Sequence, residues 1–156
     1  MNKLQKFTQE NSGSDSWGTE LLRDDLFNLI FEDDTKSIMY WAGKELAQKY
    51  PIITIEDLPI FFEKSNWGTL EKKSESKNEI IFTLSGKYNE LRISENDNPD
   101  FSLETGFLAE SIQQIIEADT EAEFKIKKNM IEIRLVFDIN EKRPNYNDNK
   151  PLIFER

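Results

Sequence analysis

Three carboxylates, Glu45, Glu104 and Glu110, fall in the two most distinctive stretches of this chain. These are Tyr40-Trp41-Ala42-Gly43-Lys44-Glu45-Leu46-Ala47 and Glu104-Thr105-Gly106-Phe107-Leu108-Ala109-Glu110. A carboxylate pair in a cleft can serve as general acid and general base. Nothing in this spacing fixes two of them on one reacting atom, and a structural reading covers all three. Glu104 opens or caps a helix near its positive end, while Glu45 and Glu110 are solvated or pair with Lys or Arg. The chain has no His and no Cys. Their absence removes the commonest base near neutral pH, thiol nucleophiles, disulfides, thiolate metal sites and thioester acylation. Asp97 with Asp100, and Asp33 with Asp34, lack the alternating oxygen ligands and bidentate acid of a calcium loop. No glycine loop offers to cradle phosphate, and the serines have no His partner. The expectation is a non-enzymatic protein without catalytic residues, metal or cofactor.

The glycines and aromatics of the same stretches point elsewhere. Gly43 and Gly106 sit among apolar residues at helical spacing, where a glycine costs about 1 kcal/mol against alanine. Close approach of a neighbouring element, within the subunit or across a dimer, accounts for that cost. The aromatic set Trp41, Phe61, Phe62, Trp67, Phe82 and Phe107, with Leu46, has two readings. Large aromatics at such spacing fill a core, or they line an apolar cavity with a few polar anchors.

Over the whole chain, 156 residues with 37% hydrophobic and 32% charged side chains suit one soluble domain with a substantial core. The formal charge of -10 repels phosphate backbones and anionic lipid. Lys125, Lys127 and Lys128 make the best basic cluster, and their alternation reads as the wet face of a strand, so no nucleic-acid partner is expected. Apolar runs fall far short of the roughly 18 residues of a membrane span, and the start of the chain lacks a secretory h-region. Integral membrane association is therefore not expected, and a cytoplasmic location is.

Periodicity places the elements. Residues 1–16 read as a loose arm that Leu4 and Phe7 could pin. A first helix spans about Thr19 to Phe31, with Leu22, Leu26, Leu29 and Ile30 on its main stripe and Leu21, Phe27 and Phe31 outside it. A second runs from Lys36 to Tyr50, stopped by Pro51, and a third, shorter one comes after Thr54 with Leu58, Phe61 and Phe62 on its apolar side. Ile80, Phe82 and Leu84 then alternate as a strand, Gly86 turns the chain, and Leu91 and Ile93 begin another alternation. A fourth helix covers Glu104 to Ala118, with Gln113, Gln114 and Glu117 facing water. A closing hairpin pairs Ala122, Phe124 and Ile126 with Ile131, Ile133, Leu135 and Phe137 around Asn129. Residues 140–156 read as a polar, disordered tail. The fold class is α+β: two layers, an antiparallel sheet of about four to five strands with helices mainly on one face, in a single domain over 17–139.

The run from Met39 to Ala47, the stretch Pro59-Ile60-Phe61-Phe62-Glu63 leading into Asn66-Trp67-Gly68-Thr69-Leu70, and Glu104 to Gln113 together resemble the YslB-like family of small bacterial proteins of unknown role. The resemblance covers roughly Thr19 to Asp138 and leaves out the arm and the tail. That family in turn resembles a wider fold group: 4-vinyl-reductase-type ligand-binding domains, small TRAPP subunits of vesicle tethering, and H-NOX haem domains. The resemblance implies a small antiparallel sheet under helices, often with an apolar cavity or tunnel between the layers, and pairing through the first helices in many members. It does not bring the cousins' chemistry. The haem-ligating His, the acylated Cys and the metal-binding cysteines all have no counterpart here.

Two functions stand as expectations. In the first, favoured reading, Trp41, Leu46, Phe61, Phe62, Trp67, Phe82 and Phe107 line a cavity for a small hydrophobic ligand such as a fatty acid. In the second, the domain is a ligand-free dimeric adaptor. Both include a homodimer, with Gly43, Gly106, Leu22, Leu26 and Phe27 as close-packing or interface residues.

Overall fold

A computed structural model describes residues 16–155 of the chain. The expected arm, with Leu4 and Phe7, lies outside the described residues but for Ser16. Helix α1 covers 16–31 in three consecutive parts: α-helical Ser16–Glu20, π-helical Leu21–Leu26 and α-helical Phe27–Phe31. The π register shows in the Phe27 N–H, which bonds the carbonyl of Leu22. Glu32, at a φ of 51°, and a 3₁₀ turn over Glu32–Asp34 reverse the chain into helix α2, Thr35–Lys49.

A 3₁₀ turn over Ile55–Asp57 leads into helix α3, Leu58–Lys64, which buries Leu58, Phe61 and Phe62. Strands β1, Thr69–Glu75, and β2, Glu79–Ser85, come next as a hairpin. Periodicity misses β1 because Leu70 is its one buried residue, so the strand shows no alternation. The next segment overturns an expectation: Leu91 and Ile93 belong to helix α4, Lys87–Glu95, and not to a strand. The buried positions of α4 are Asn89 and Arg92, three apart and so on one helical face. The fully buried positions are polar, and the alternation comes from the partly buried Leu91 and Ile93, of which Ile93 also packs against the core.

Helix α5, Ser102–Ile116, is buried around most of its circumference, and Glu117 ends it in the left-handed region at φ 54°. Gln114, expected to face water, is buried and donates to Glu110 at 3.1 Å. Strands β3, Ala118–Lys127, and β4, Met130–Lys142, close the domain, with Lys127 opposite Met130 across a tight turn. The sheet is antiparallel, in the order β1-β2-β4-β3. Its inner face presents Leu70, Ile80, Phe82, Leu84, Ile131, Ile133, Leu135 and Phe137 to the helices. Its outer face carries cross-strand ion pairs: Lys73 and Lys127 each lie 3.0 Å from Glu132, and Arg134 pairs with Glu79. The expected two-layer α+β class, with a four-stranded sheet, is what the structure has.

Layering depends on how closely α2 meets α5. A methyl group added to Gly43 would collide with the carbonyl oxygen of Leu103 and lie 2.7 Å from the Phe107 nitrogen. One added to Gly106 would collide with the carbonyl oxygen of Tyr40 and lie 2.8 Å from its carbonyl carbon. Each glycine thus faces the other helix's backbone, which cannot yield as a side-chain tip can.

The segment expected as a polar, disordered tail over 140–156 is described to residue 155 and makes contacts with the domain. Strand β4 runs on to Lys142, and beyond it the Nδ2 atoms of Asn147 and Asn149 both donate to the Gln48 carbonyl at 2.8 Å. Gln48 is in the last turn of α2, where carbonyls lack helical partners. Further on, the Leu152 N–H donates to Pro51 at 2.9 Å, and Leu152 and Phe154 pack against the core. Asn145 and Asn147 repeat one device along this segment, the side-chain oxygen of each accepting the N–H two residues on.

Gly43→Leu and Gly106→Ala should each destabilise the fold, the former by about 1–3 kcal/mol through overpacking. Urea unfolding midpoints measure this, and an unchanged midpoint in both variants would contradict the backbone contact.

Candidate functional site

The aromatic candidates occupy one dense cluster. Phe61 stacks on Phe107 with centroids 4.4 Å apart and planes 8° from parallel. Trp67 meets Phe61, Phe62 and Phe107 edge-on at 5.4, 5.2 and 5.5 Å. Phe82 lies in the same core and Leu46 packs against it. Trp41 is not brought there; it stands on the surface of α2 at 64% exposure. Surface concavities of about 730, 590 and 450 Å³ exist, and none of them is lined by the candidate cavity residues.

The three carboxylates singled out by sequence are not assembled into one site. Glu45 is exposed. Glu110 is buried, and its Oε1 accepts from Gln48 at 2.6 Å as well as from Gln114. Glu104 is fully buried, and its Oε1 lies 2.5 Å from the guanidinium of Arg23. That contact opens onto the least expected feature of the molecule, an ionic cluster enclosed by α1, α4 and the first turn of α5.

Arg92 is at its centre, 1% exposed. Its Nε and Nη2 grip the two oxygens of Asp24 at 3.0 and 2.9 Å, a bidentate fork. Nη2 also donates to the Asp100 carbonyl at 2.7 Å, and Nη1 lies 3.8 Å from Glu104. The guanidinium rests over the Phe101 ring, 4.5 Å from its centroid. Burial pushes the Asp24 carboxyl up, but the hydrogen bonds and charge of Arg92 more than offset this, holding it below its ordinary 3.8. Burial also raises the Tyr88 hydroxyl to about 12, against a weaker opposing pull from Arg92. Glu20 completes the buried inner side of α1, beside Asp24.

Sequence reasoning misses Arg23, Asp24, Tyr88 and Arg92 altogether. One signal is available: Arg92 stands between Leu91 and Ile93, and Glu104 opens a helix that is otherwise mostly apolar.

The cluster turns α1 inside out. Leu22, Leu26, Leu29 and Ile30, the stripe that periodicity assigns to a core, face solvent, with Leu29 at 76% exposure. Phe27 is half-buried, its ring 5.8 Å from that of Phe31. Gly43 and Gly106 act within the subunit, at the α2–α5 crossing. On α2, Tyr40 donates its hydroxyl hydrogen to Glu121 at 2.8 Å and accepts from the Ala122 N–H at 3.3 Å, tying α2 to β3. No described helix is long and apolar enough to cross a membrane.

The cluster makes two outcomes measurable. Arg92→Met alone strands Asp24 in the interior and should cost about 3–5 kcal/mol in chemical denaturation. Asp24 has a folded pKa below its unfolded one, so its contribution is present above about pH 4 and lost as pH falls through the depressed value. Tyr88 has the opposite sign: its contribution is full below pH 10 and declines as pH climbs toward about 12. Stability of Asp24→Asn and Tyr88→Phe against pH measures each. A wild-type acid limb in Asp24→Asn would contradict the first assignment, and a wild-type alkaline limb in Tyr88→Phe the second.

Comparisons with known proteins agree on where this architecture belongs. The chain is 36% identical over 129 residues to the uncharacterised protein YslB of Bacillus subtilis (strain 168), covering 83% of this chain and 87% of that one. Among solved structures it is similar to a vinyl-4-reductase family protein from Methanocaldococcus jannaschii, with a TM-score of 0.51 at 18% identity, over 70% of this chain and 75% of that one. The second likeness is one of fold. Residues 16–137 match the protein family of unknown function DUF2507, which carries the shared motifs and the domain together, and the chain belongs to that family.

Proposed function

We propose that this protein is a non-catalytic interaction module that pairs with a second copy of itself through the outward side of α1. One observation carries the reading: Leu22, Leu26, Leu29 and Ile30 form a single apolar stripe on a helix whose opposite side is ionic and buried. Aliphatic side chains contribute about 1.5–3 kcal/mol each on full burial, so a contiguous set left in water favours association. Trp41, exposed on α2, is of the residue type that most often anchors such contacts. A symmetric pair would put the same stripe on both partners, apolar against apolar.

The hydrophobic-ligand reading has weaker support. Phe61, Phe62, Trp67 and Phe107 fill one another's space, leaving the aromatic inventory accounted for by packing. The fold likeness to a vinyl-4-reductase family protein is compatible with either reading and favours neither. A catalytic role lacks support for a similar reason, since the buried carboxylates Asp24, Glu104 and Glu110 are engaged by Arg92, Arg23 and Gln48 respectively.

Light scattering at tens of micromolar is expected to give twice the mass of the chain. Leu26→Glu with Leu29→Glu, both on exposed positions, is expected to give a monomer with the core's near-UV signal intact. A wild-type protein that stays monomeric would sink the proposal.

A further inference from the structure

Helix α1 presents two sides that could each serve as its inner face. One is aliphatic: Leu22, Leu26, Leu29 and Ile30. The other is ionic: Glu20, Arg23 and Asp24. The apolar side would be expected inward on burial alone, and the structure has the reverse. Arg23 and Asp24 each meet a group built to receive them. Asp24 enters the fork of Arg92 on α4, and Arg23 meets Glu104 on α5. Arg92 is itself fixed by the Asp100 carbonyl and the Phe101 ring, so its fork is set independently of α1. The π register over Leu21–Leu26 falls on the same residues. A π turn carries an extra residue relative to an α turn, so it changes the rotational phase of the residues C-terminal to it.

From this geometry we infer that Arg92 is a positioning residue for the interaction face: by gripping Asp24 it selects the rotation of α1 that turns the aliphatic stripe outward. This rests on the proposed function for its purpose, though not for its test. Among the described residues, Asp24 faces Glu20 and Arg23 on α1 and Tyr88 and Arg92 on α4, while Glu104 on α5 faces the two arginines, so the selection is made by buried groups from three helices. Without the grip the stripe turns inward, and the face is lost while the core stays folded.

The chain has no cysteine, which makes a thiol reporter specific. Leu26→Cys places one on the stripe, and its labelling by an aromatic disulfide reagent is followed at sub-micromolar protein. The clamp is removed by the double change Asp24→Leu with Arg92→Met, which takes away one charge of each sign and leaves those of Arg23 and Glu104 balanced. Labelling is expected to slow at least tenfold in that background, with near-UV circular dichroism preserved. An unchanged rate, or a faster one that reports a frayed helix, overturns the inference. Should the double variant not fold, Arg92→Lys decides the matter, because a lysine keeps the charge but not the fork. Labelling slowed at least threefold supports the positioning role, and the wild-type rate overturns it. Light scattering is read apart from this. Slowed labelling in a chain whose clamped form is monomeric would sink the interaction reading and leave the positioning role standing.

Discussion

The closeness of α2 to α5 is the constraint on which the other contacts depend. Backbone meets backbone at Gly43 and Gly106, so the axes are set by main-chain atoms and not by adaptable side chains. With that spacing fixed, Tyr40 reaches Glu121 and Ala122 on β3, and Gln48 reaches Glu110 on α5. Helix α5 is thereby held between α2 and the sheet, and its first turn is delivered to the place where α1 and α4 meet. The ionic cluster is downstream of this geometry, since Glu104 and Phe101 stand where α5 begins.

Two peripheral helices depart from the usual pattern of amphipathic packing. Helix α1 buries Glu20, Arg23 and Asp24, and α4 buries Asn89 and Arg92. Asn89 shows that this is not confined to ion pairs: its Nδ2 donates to the carbonyls of Trp67 and Ser85 at 2.8 and 3.1 Å, joining the loop after α3 to the end of β2. Gly68, at a φ of 122°, has no room for a side chain beside that amide. Polar groups buried with partners cost little net free energy but specify geometry more narrowly than aliphatic contact does.

The same division governs how much of the molecule is legible in its sequence. Where the inner face is apolar, spacing yields the element and its orientation: Leu58, Phe61 and Phe62 on α3, Ile80, Phe82 and Leu84 on β2, Ile131 to Phe137 on β4. Strand β1, with Leu70 alone inside, offers no period to read, and α4 reads as a strand because its half-exposed Leu91 and Ile93 happen to alternate. The stripe on α1 is legible but its direction is not, since hydrophobic periodicity measures contrast between two sides and carries no label for which side is inside. Only knowledge of Arg92 and Glu104 supplies that label, and they are distant in sequence. The aromatic residues gather as their spacing predicts except for Trp41, which shares a helix with the core residues Met39 and Ala47 but stands on its outer side.

The asparagines that close the last turn of α2 have a consequence for the order of events in synthesis. Asn149 bonds to Gln48 across 101 residues of chain. At translation rates of about 5–20 residues per second, the helix end waits on the order of ten seconds for its acceptor to be satisfied. Throughout that interval the Gln48 carbonyl, and the apolar strip later covered by Leu152 and Phe154, face water or whatever chaperone attends the emerging chain. Residues 147–154 therefore cover this surface late, well after α2 itself has been synthesised.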